Sequence, residues 1–285
     1  MTERHIGGTE RHILGLSGGR DSAALAVYMR QHHPELPIEY FFTDTGKELP
    51  EVYTFLDRLE GFLGRPIARL NPDRDFDFWL QEYNNFLPSP RTRWCTRQLK
   101  LRPLEHWLRE DLDDGITVHS YVAIRADEPT REGYQATHAT MKVHLPLRDA
   151  GIDRAGVIEI LDQADVGEPA YYKWRSRSGC TFCFFQQKIE WVRLAENHPQ
   201  RFAEAIAYEK TAMDDGSPFT WSHGERLVDL VEPERVAQIK ADYERRRERL
   251  RRNRPINPLS ARSGETVDDV YGIEEAEGGC VICHK

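Results

Sequence analysis

Residues 12–22 read HILGLSGGRDS, an apolar run that breaks at Ser-Gly-Gly and passes straight into the start of an apolar helix pattern. The run has the length of a buried strand. DSAALAVYMRQHHP, residues 21–34, has the ~3.6-residue apolar spacing of a helix, with Asp and Ser at its start and Pro at its end. A strand that ends in Ser17, Gly18 and Gly19 and turns into a helix aims several backbone N–H groups at one spot, at the positive end of the helix dipole. That spot suits a phosphate. The two glycines let the backbone approach a ligand with no Cβ in the way, while Ser17 and Ser22 offer hydroxyls and Arg20 a charge. The competing account is a tight turn with Asp21 as helix cap. The Walker A form GxxxxGK[ST] is absent, so any phosphate loop here is of another kind.

The same alternation continues outward. IEYFFTDTG (38–46) reads as a second strand ending in turn residues, and ELPEVYTFLDRLEGFLG (48–64) as a helix with Pro near its first turn and a Gly stop. PIARLNP (66–72) is a further strand, followed by a loop-helix region through LRPLEHWLRED (101–111) and a strand in TVHSYVAIRADE (117–128). Strand and helix alternating at this spacing predict an α/β fold with a parallel sheet flanked by helices, whose binding site lies at the carboxyl ends of the strands. After about residue 155 the pattern turns mostly helical and includes the run ERRRERLRRNR (244–254), read as a solvated helix face. Three parts are expected: an α/β domain over 1–155, a helical region with one CxxC over 156–254, and a tail over 255–285 with a terminal CxxC.

The 285 residues are 39% hydrophobic and 30% charged, enough for a substantial core. No window approaches the ~18 apolar residues of a membrane span, and the charged start MTERHIGGTER lacks the apolar stretch of a signal peptide, so a cytoplasmic protein is expected. A net charge of −8 argues against a broad nucleic-acid face and favours small anions. Of the five cysteines, Cys180 with Cys183 and Cys280 with Cys283 form CxxC pairs. In a reducing compartment this favours a four-ligand metal site over disulfides. Soft thiolates admit zinc or an iron–sulfur cluster, and spacing does not separate them. The fifth, Cys95, sits among Arg91, Arg93, Arg97, Lys100 and Arg102, a setting that should favour its thiolate and attract phosphate. In AIRADEPTREGY (123–134), Arg125 and Arg131 are candidate phosphate clamps, and Asp127 and Glu128 could hold a metal or orient an arginine.

SGGRDS resembles the PP-loop of the ATP pyrophosphatases, with Arg20 where that family usually has Lys. FFTDTGKELPEVYTFL (41–56), WCTRQLKLRPL (94–104) and SGCTFCFFQQKIEW (178–191) are similar to motifs of its phosphoadenosine phosphosulfate reductase branch, above all to members from bacterial DNA phosphorothioation systems. AIRADE is similar to the branch's Gly-x-Arg-x-x-Glu element, with Ala123 in place of the glycine, and the CVICHK end departs from the ECGLH-type tail of sulfate-assimilation reductases. The resemblance implies an adenine nucleotide alpha hydrolase-like fold that binds ATP and Mg²⁺. It places Asp44, Thr45 and Gly46 near adenosine with Glu48 nearby, and gives Asp21, Cys95, Arg125 and Arg131 the catalytic work. It favours a 4Fe–4S cluster on Cys180, Cys183, Cys280 and Cys283, with Cys95 as an alternative ligand.

The activity it implies is ATP pyrophosphatase: adenylation of an acceptor, the DNA backbone phosphate in a phage-defence modification system, for sulfur incorporation. A cysteine desulfurase would donate sulfur, other modification-system subunits would be partners, and contact with DNA is expected to be indirect. A homo-oligomer is among the expectations. The alternatives are a sulfonucleotide reductase and an ATP-sensing iron–sulfur scaffold.

Overall fold

The computed structural model describes residues 10–71, 73–131, 138–214, 220–222 and 224–253. Strand β1 (Glu10–Leu16) leads into α1 (Arg20–His32), β2 (Glu39–Thr43) into α2 (Pro50–Leu63), and β3 (Ile67–Leu70) into the short α3 (Phe76–Glu82). A single turn, α4 (Trp94–Thr96), continues through a π-helical turn (Arg97–Leu101) into α5 (Arg102–Asp113). Then come β4 (Thr117–Tyr121), β5 (Met141–His144), α6 (Pro146–Asp149) and α7 (Arg154–Gln163). Beyond a 3-10 turn (Ala170–Lys173), the chain is helical: α8 (Lys188–Asn197), α9 (Pro199–Asp214), α10 (Leu227–Leu230) and α11 (Pro233–Asn253).

All strands are parallel, in the order β3-β2-β1-β4-β5. The order reverses direction between β1 and β4, and the crevice outside the carboxyl ends at such a switch point is where open α/β sheets bind ligands. Both faces are covered because consecutive residues of a strand point to opposite sides. Leu14, Leu16, Tyr40 and Phe42 pack into the main core with α1, α2, α7 and the helical half, while Ile13, Phe41 and Val118 meet Leu108 of α5 on the other side. Fold class is therefore as the alternation predicts.

The expected division at residue 155 falls inside α7, which packs on α1. One core then runs on through Trp191, Trp221 and Tyr243, so the helical region shares its buried apolar surface with the sheet layer. Lys47 ties the β2 loop to it by donating to Asp77 at 3.2 Å, Glu204 at 2.7 Å and the Tyr208 hydroxyl at 2.8 Å. The arginine-rich end of α11 is an exposed face in which Arg245 and Arg246 pair with Asp242 and Arg247 with Glu244. Among the described residues, no helix is long and apolar enough to cross a membrane.

Candidate functional site

The turn after β1 sits at the switch point and is held from both ends. Gly18 has φ 70°, the left-handed region that glycine enters without a Cβ penalty, and Gly19 is the extended N-cap of α1. The Ser22 hydroxyl accepts from Ser17 N–H at 3.1 Å and donates to the Gly19 carbonyl at 3.2 Å, closing the loop on the first helical turn. Asp21 accepts from Arg125 Nη1 at 2.9 Å, which joins the start of α1 to the segment after β4.

Arg125 is almost fully buried. It also donates to Asp127 at 2.8 Å, and Arg131 donates to Glu128 at 3.1 Å. Burial opposes the Arg125 charge, but Asp21, Asp127 and Glu128 outweigh it and raise its pKa. Both arginines thus have carboxylate partners, and neither is among the residues that line the cavity beside the loop. Arg20, expected to add charge to the loop, has its guanidinium on Glu168 at 2.9 Å and over the Tyr172 ring at 4.4 Å.

A cavity begins at Ser17, Gly19 and Asp21 and ends on sulfur: Cys95, Cys180 and Cys183 line it together with Lys100, Arg177, Ser178 and Phe184. Of the cations near Cys95 in sequence, Lys100 lines this cavity; Arg91 and Arg97 are exposed, Arg93 lies over Phe185, and Arg102 over Trp79. The π-helical turn carries both Lys100 and the buried Gln98.

Asp44 caps its own turn by accepting from Gly46 N–H at 2.9 Å and from the Tyr53 hydroxyl at 2.8 Å. Thr45 donates to Glu48 at 3.0 Å and lies 3.3 Å from Cys180 Sγ, and a β-bridge joins Glu48 to Cys180. The second-strand loop therefore touches the first CxxC directly.

Sequence reasoning missed the strap over residues 170–187. Tyr171 donates to the Gly18 carbonyl at 2.7 Å, Ser178 donates to Ser17 Oγ at 3.2 Å, and buried Arg175 donates to the Cys180 carbonyl at 2.8 Å. Glu190 of α8 anchors the strap through Ser176 N–H at 2.6 Å. The available signal was YYKWRSRSGC, residues 171–180, where cations alternate with aromatic and hydroxyl residues just before a CxxC.

Burial pushes the Cys180 thiol well above its ordinary pKa, and Glu48 adds to the rise. Thiolate ligation would therefore need a metal cation to supply the missing positive charge. Cys180 and Cys183 stand on one cavity wall with Cys95, while Cys280 and Cys283 lie outside the described residues. Three thiols lining one cavity are the soft donors an iron–sulfur cluster takes, but among the described residues the three sulfurs do not all lie within 4.8 Å of one another, wider than a single tetrahedral zinc ion requires. For Mg²⁺, Asp21 is the carboxylate that lines the cavity.

Burial likewise raises the Glu48 carboxyl pKa, against the pull of Lys100 and the Thr45 hydrogen bond. Its folded pKa lies above its unfolded one, so its contribution to stability is greatest below the ordinary carboxylate range and falls as pH rises through the raised value. Glu48→Gln should flatten the pH dependence of urea unfolding above the ordinary carboxylate range. An unchanged slope would assign that titration to another group.

The strand order and the glycine loop at its switch point define an open parallel α/β fold with its crevice at the carboxyl ends of β1 and β4. Residues 11–147 match the family model described as the phosphoadenosine phosphosulfate reductase domain. Over 194 residues the chain is 24% identical to an uncharacterized protein of Methanocaldococcus jannaschii, covering 66% of this chain and 39% of that protein. Over 145 residues it is 28% identical to an uncharacterized nin region protein of Escherichia phage lambda, covering 42% and 50%. The chain thus spans half or less of the length of these relatives. Among solved structures, a phosphoadenylyl-sulfate reductase from Candida auris in a phosphate complex aligns with TM-score 0.48 and 12% identity over 60% of this chain and 81% of that one. An NMN synthetase from Francisella tularensis aligns with TM-score 0.38 and 15% identity over 87% and 89%.

Proposed function

We propose that the cavity binds ATP and that the protein adenylates an acceptor phosphate oxygen, in DNA, so that sulfur can replace it. The observation that carries this reading is that Ser17, Gly19 and Asp21 of the glycine loop and three cysteines line one cavity. The acceptor oxygen attacks the α-phosphorus and pyrophosphate leaves. A persulfide sulfur carried on Cys95 then displaces AMP, which departs with the oxygen, and a thiol reduces the resulting S–S bond to leave the phosphorothioate.

The loop amides and Lys100 stabilise charge on the pyrophosphate side. Asp21 would hold Mg²⁺, which neutralises that charge when bound. Cys180 and Cys183 would hold the iron–sulfur centre, with the outer sulfur of Cys95 supplied by a cysteine desulfurase. An acceptor has a place beside the cavity: a groove lined by Arg69, Arg74, Arg102, Arg109, Trp79 and Trp107 borders the same π-helical turn. Guanidinium groups and aromatic faces in one groove suit a phosphate chain with bases.

In this reading Cys95→Ser retains pyrophosphate release but loses sulfur incorporation into DNA. If the variant instead loses its iron, Cys95 is a cluster ligand, and normal iron with normal sulfur incorporation would remove it from the chemistry. The family match favours one second reading, a sulfonucleotide reductase in the same cavity. Sulfite released from a sulfonucleotide, without pyrophosphate from ATP, would select it.

A further inference from the structure

The opposite end of the sheet carries a second constellation, at the amino ends of β1 and β4. His12 pairs directly with His119 across those strands, and Tyr121 pairs with His144 on β5. Strand alternation puts Glu10 and His12 on the same face as these partners. The His12 and His119 rings stack with centroids 4.7 Å apart, and His144 stacks on His119 at 5.1 Å.

In each of the two central rings one nitrogen is already engaged. His12 Nδ1 lies 2.9 Å from the Tyr121 hydroxyl, and His119 Nδ1 lies 2.9 Å from His144 Nε2. That leaves the Nε2 positions. His119 Nε2 is buried, makes no hydrogen bond among the described residues, and faces the Glu10 carboxylate at 3.5 Å. A ligating imidazole is normally fixed in this way, with its other nitrogen held by an outer partner that sets ring orientation and tautomer.

We infer that Glu10, His12 and His119 form a binding site for a divalent transition metal of the zinc class, with His144 and Tyr121 as its outer shell. One donor atom from each of the three already lies within 4.8 Å of the others. A tetrahedral ion with ~2.0–2.1 Å bonds needs donors about 3.3 Å apart, so binding requires the stacked His12 and His119 rings, 17° from parallel, to turn until their Nε2 lone pairs converge, together with a swing of the Glu10 side chain. Glu10 can make that swing because its side chain is 54% exposed.

Imidazole nitrogens and one carboxylate suit zinc, cobalt or nickel better than magnesium or calcium. The facing charges are mixed: Lys142 and Asp149 lie near His144, and Glu35 near Tyr121. The ion would clamp β1 to β4 at the end of the sheet remote from the phosphate loop, so its effect is on stability.

Titration of the full-length chain with Co²⁺ tests the site, because thiolate-bound cobalt gives intense near-ultraviolet charge transfer and a nitrogen–oxygen site gives only weak visible bands. Wild-type protein should show one equivalent with weak visible bands that His119→Gln abolishes, and Zn²⁺ should raise the Tm of wild type but not of that variant through this site. Glu10→Gln, at an exposed position, should fold normally and bind at least tenfold more weakly. Identical Co²⁺ spectra and stoichiometry in wild type, His119→Gln and Glu10→Gln would overturn the assignment, as would uptake seen only through thiolate bands.

Discussion

Gly18→Ala should lower the stability of the protein by about 2–4 kcal/mol, seen as a reduced urea midpoint at unchanged slope. Two independent penalties meet at this position. Gly18 has φ 70°, where a side chain is strained, and its added Cβ would stand 2.5 Å from Val52 Cγ1 of α2. Relief would need the loop and the helix to move apart, while Tyr171 holds the Gly18 carbonyl from the other side at 2.7 Å.

Gly19 separates stability from function. Its backbone is ordinary, and an added Cβ would meet the hydroxyl tips of Ser178 at 3.0 Å, Ser17 at 3.2 Å and Tyr172 at 3.3 Å. Those tips can turn away, so Gly19→Val should cost about 1 kcal/mol or less yet place its methyls where a phosphate must approach the amides. Nucleotide affinity should fall more than tenfold. Gly19→Val protein that binds ATP normally would remove the loop from the site.

The second large effect is expected at Arg125. Replacing one partner of a buried ion pair leaves the other charge uncompensated, at a typical cost of about 3–5 kcal/mol. Arg125→Met leaves the Asp21 carboxylate without the guanidinium at 2.9 Å and frees Asp127 and Glu128 from it as well. Asp21→Asn alone should cost less, because Arg125 keeps its other carboxylates. The double variant should then be more stable than the sum of the two losses predicts, since the residues form one network. Strict additivity in urea unfolding would show that the pair does not couple the α1 start to the end of β4.

The part of the fold legible in the sequence was the part written in apolar periodicity. HILGLS and IEYFFT are apolar runs of strand length, and the helices that follow them carry a helical apolar period, α2 with Pro50 in its first turn and Gly64 at its stop. β5 was not legible: MKVH is short and half polar, and it is a strand because it pairs with β4. The loop itself was readable because its glycines and hydroxyls are contiguous. The pairing of Arg20 with Glu168 was not, for the partners are 148 residues apart and nothing local marks them.

The cysteines teach the same point. CxxC spacing singled out Cys180 and Cys183, while the presence of Cys95 in the same cavity depends on tertiary packing that no local spacing encodes. The histidine constellation was invisible to a search for HxxxH, since its geometry is a cross-strand register between residues 12 and 119. Local spacing reads one element at a time, whereas this site is made by pairing two.

The central claim is that ATP is split in the cavity between the loop amides and the thiols. Its most direct test is product analysis of anaerobically prepared full-length protein given ATP, Mg²⁺ and single-stranded DNA. AMP and pyrophosphate should accumulate together, and Gly19→Val should abolish both. ADP with inorganic phosphate, or no nucleotide product while a sulfonucleotide yields sulfite, would contradict it.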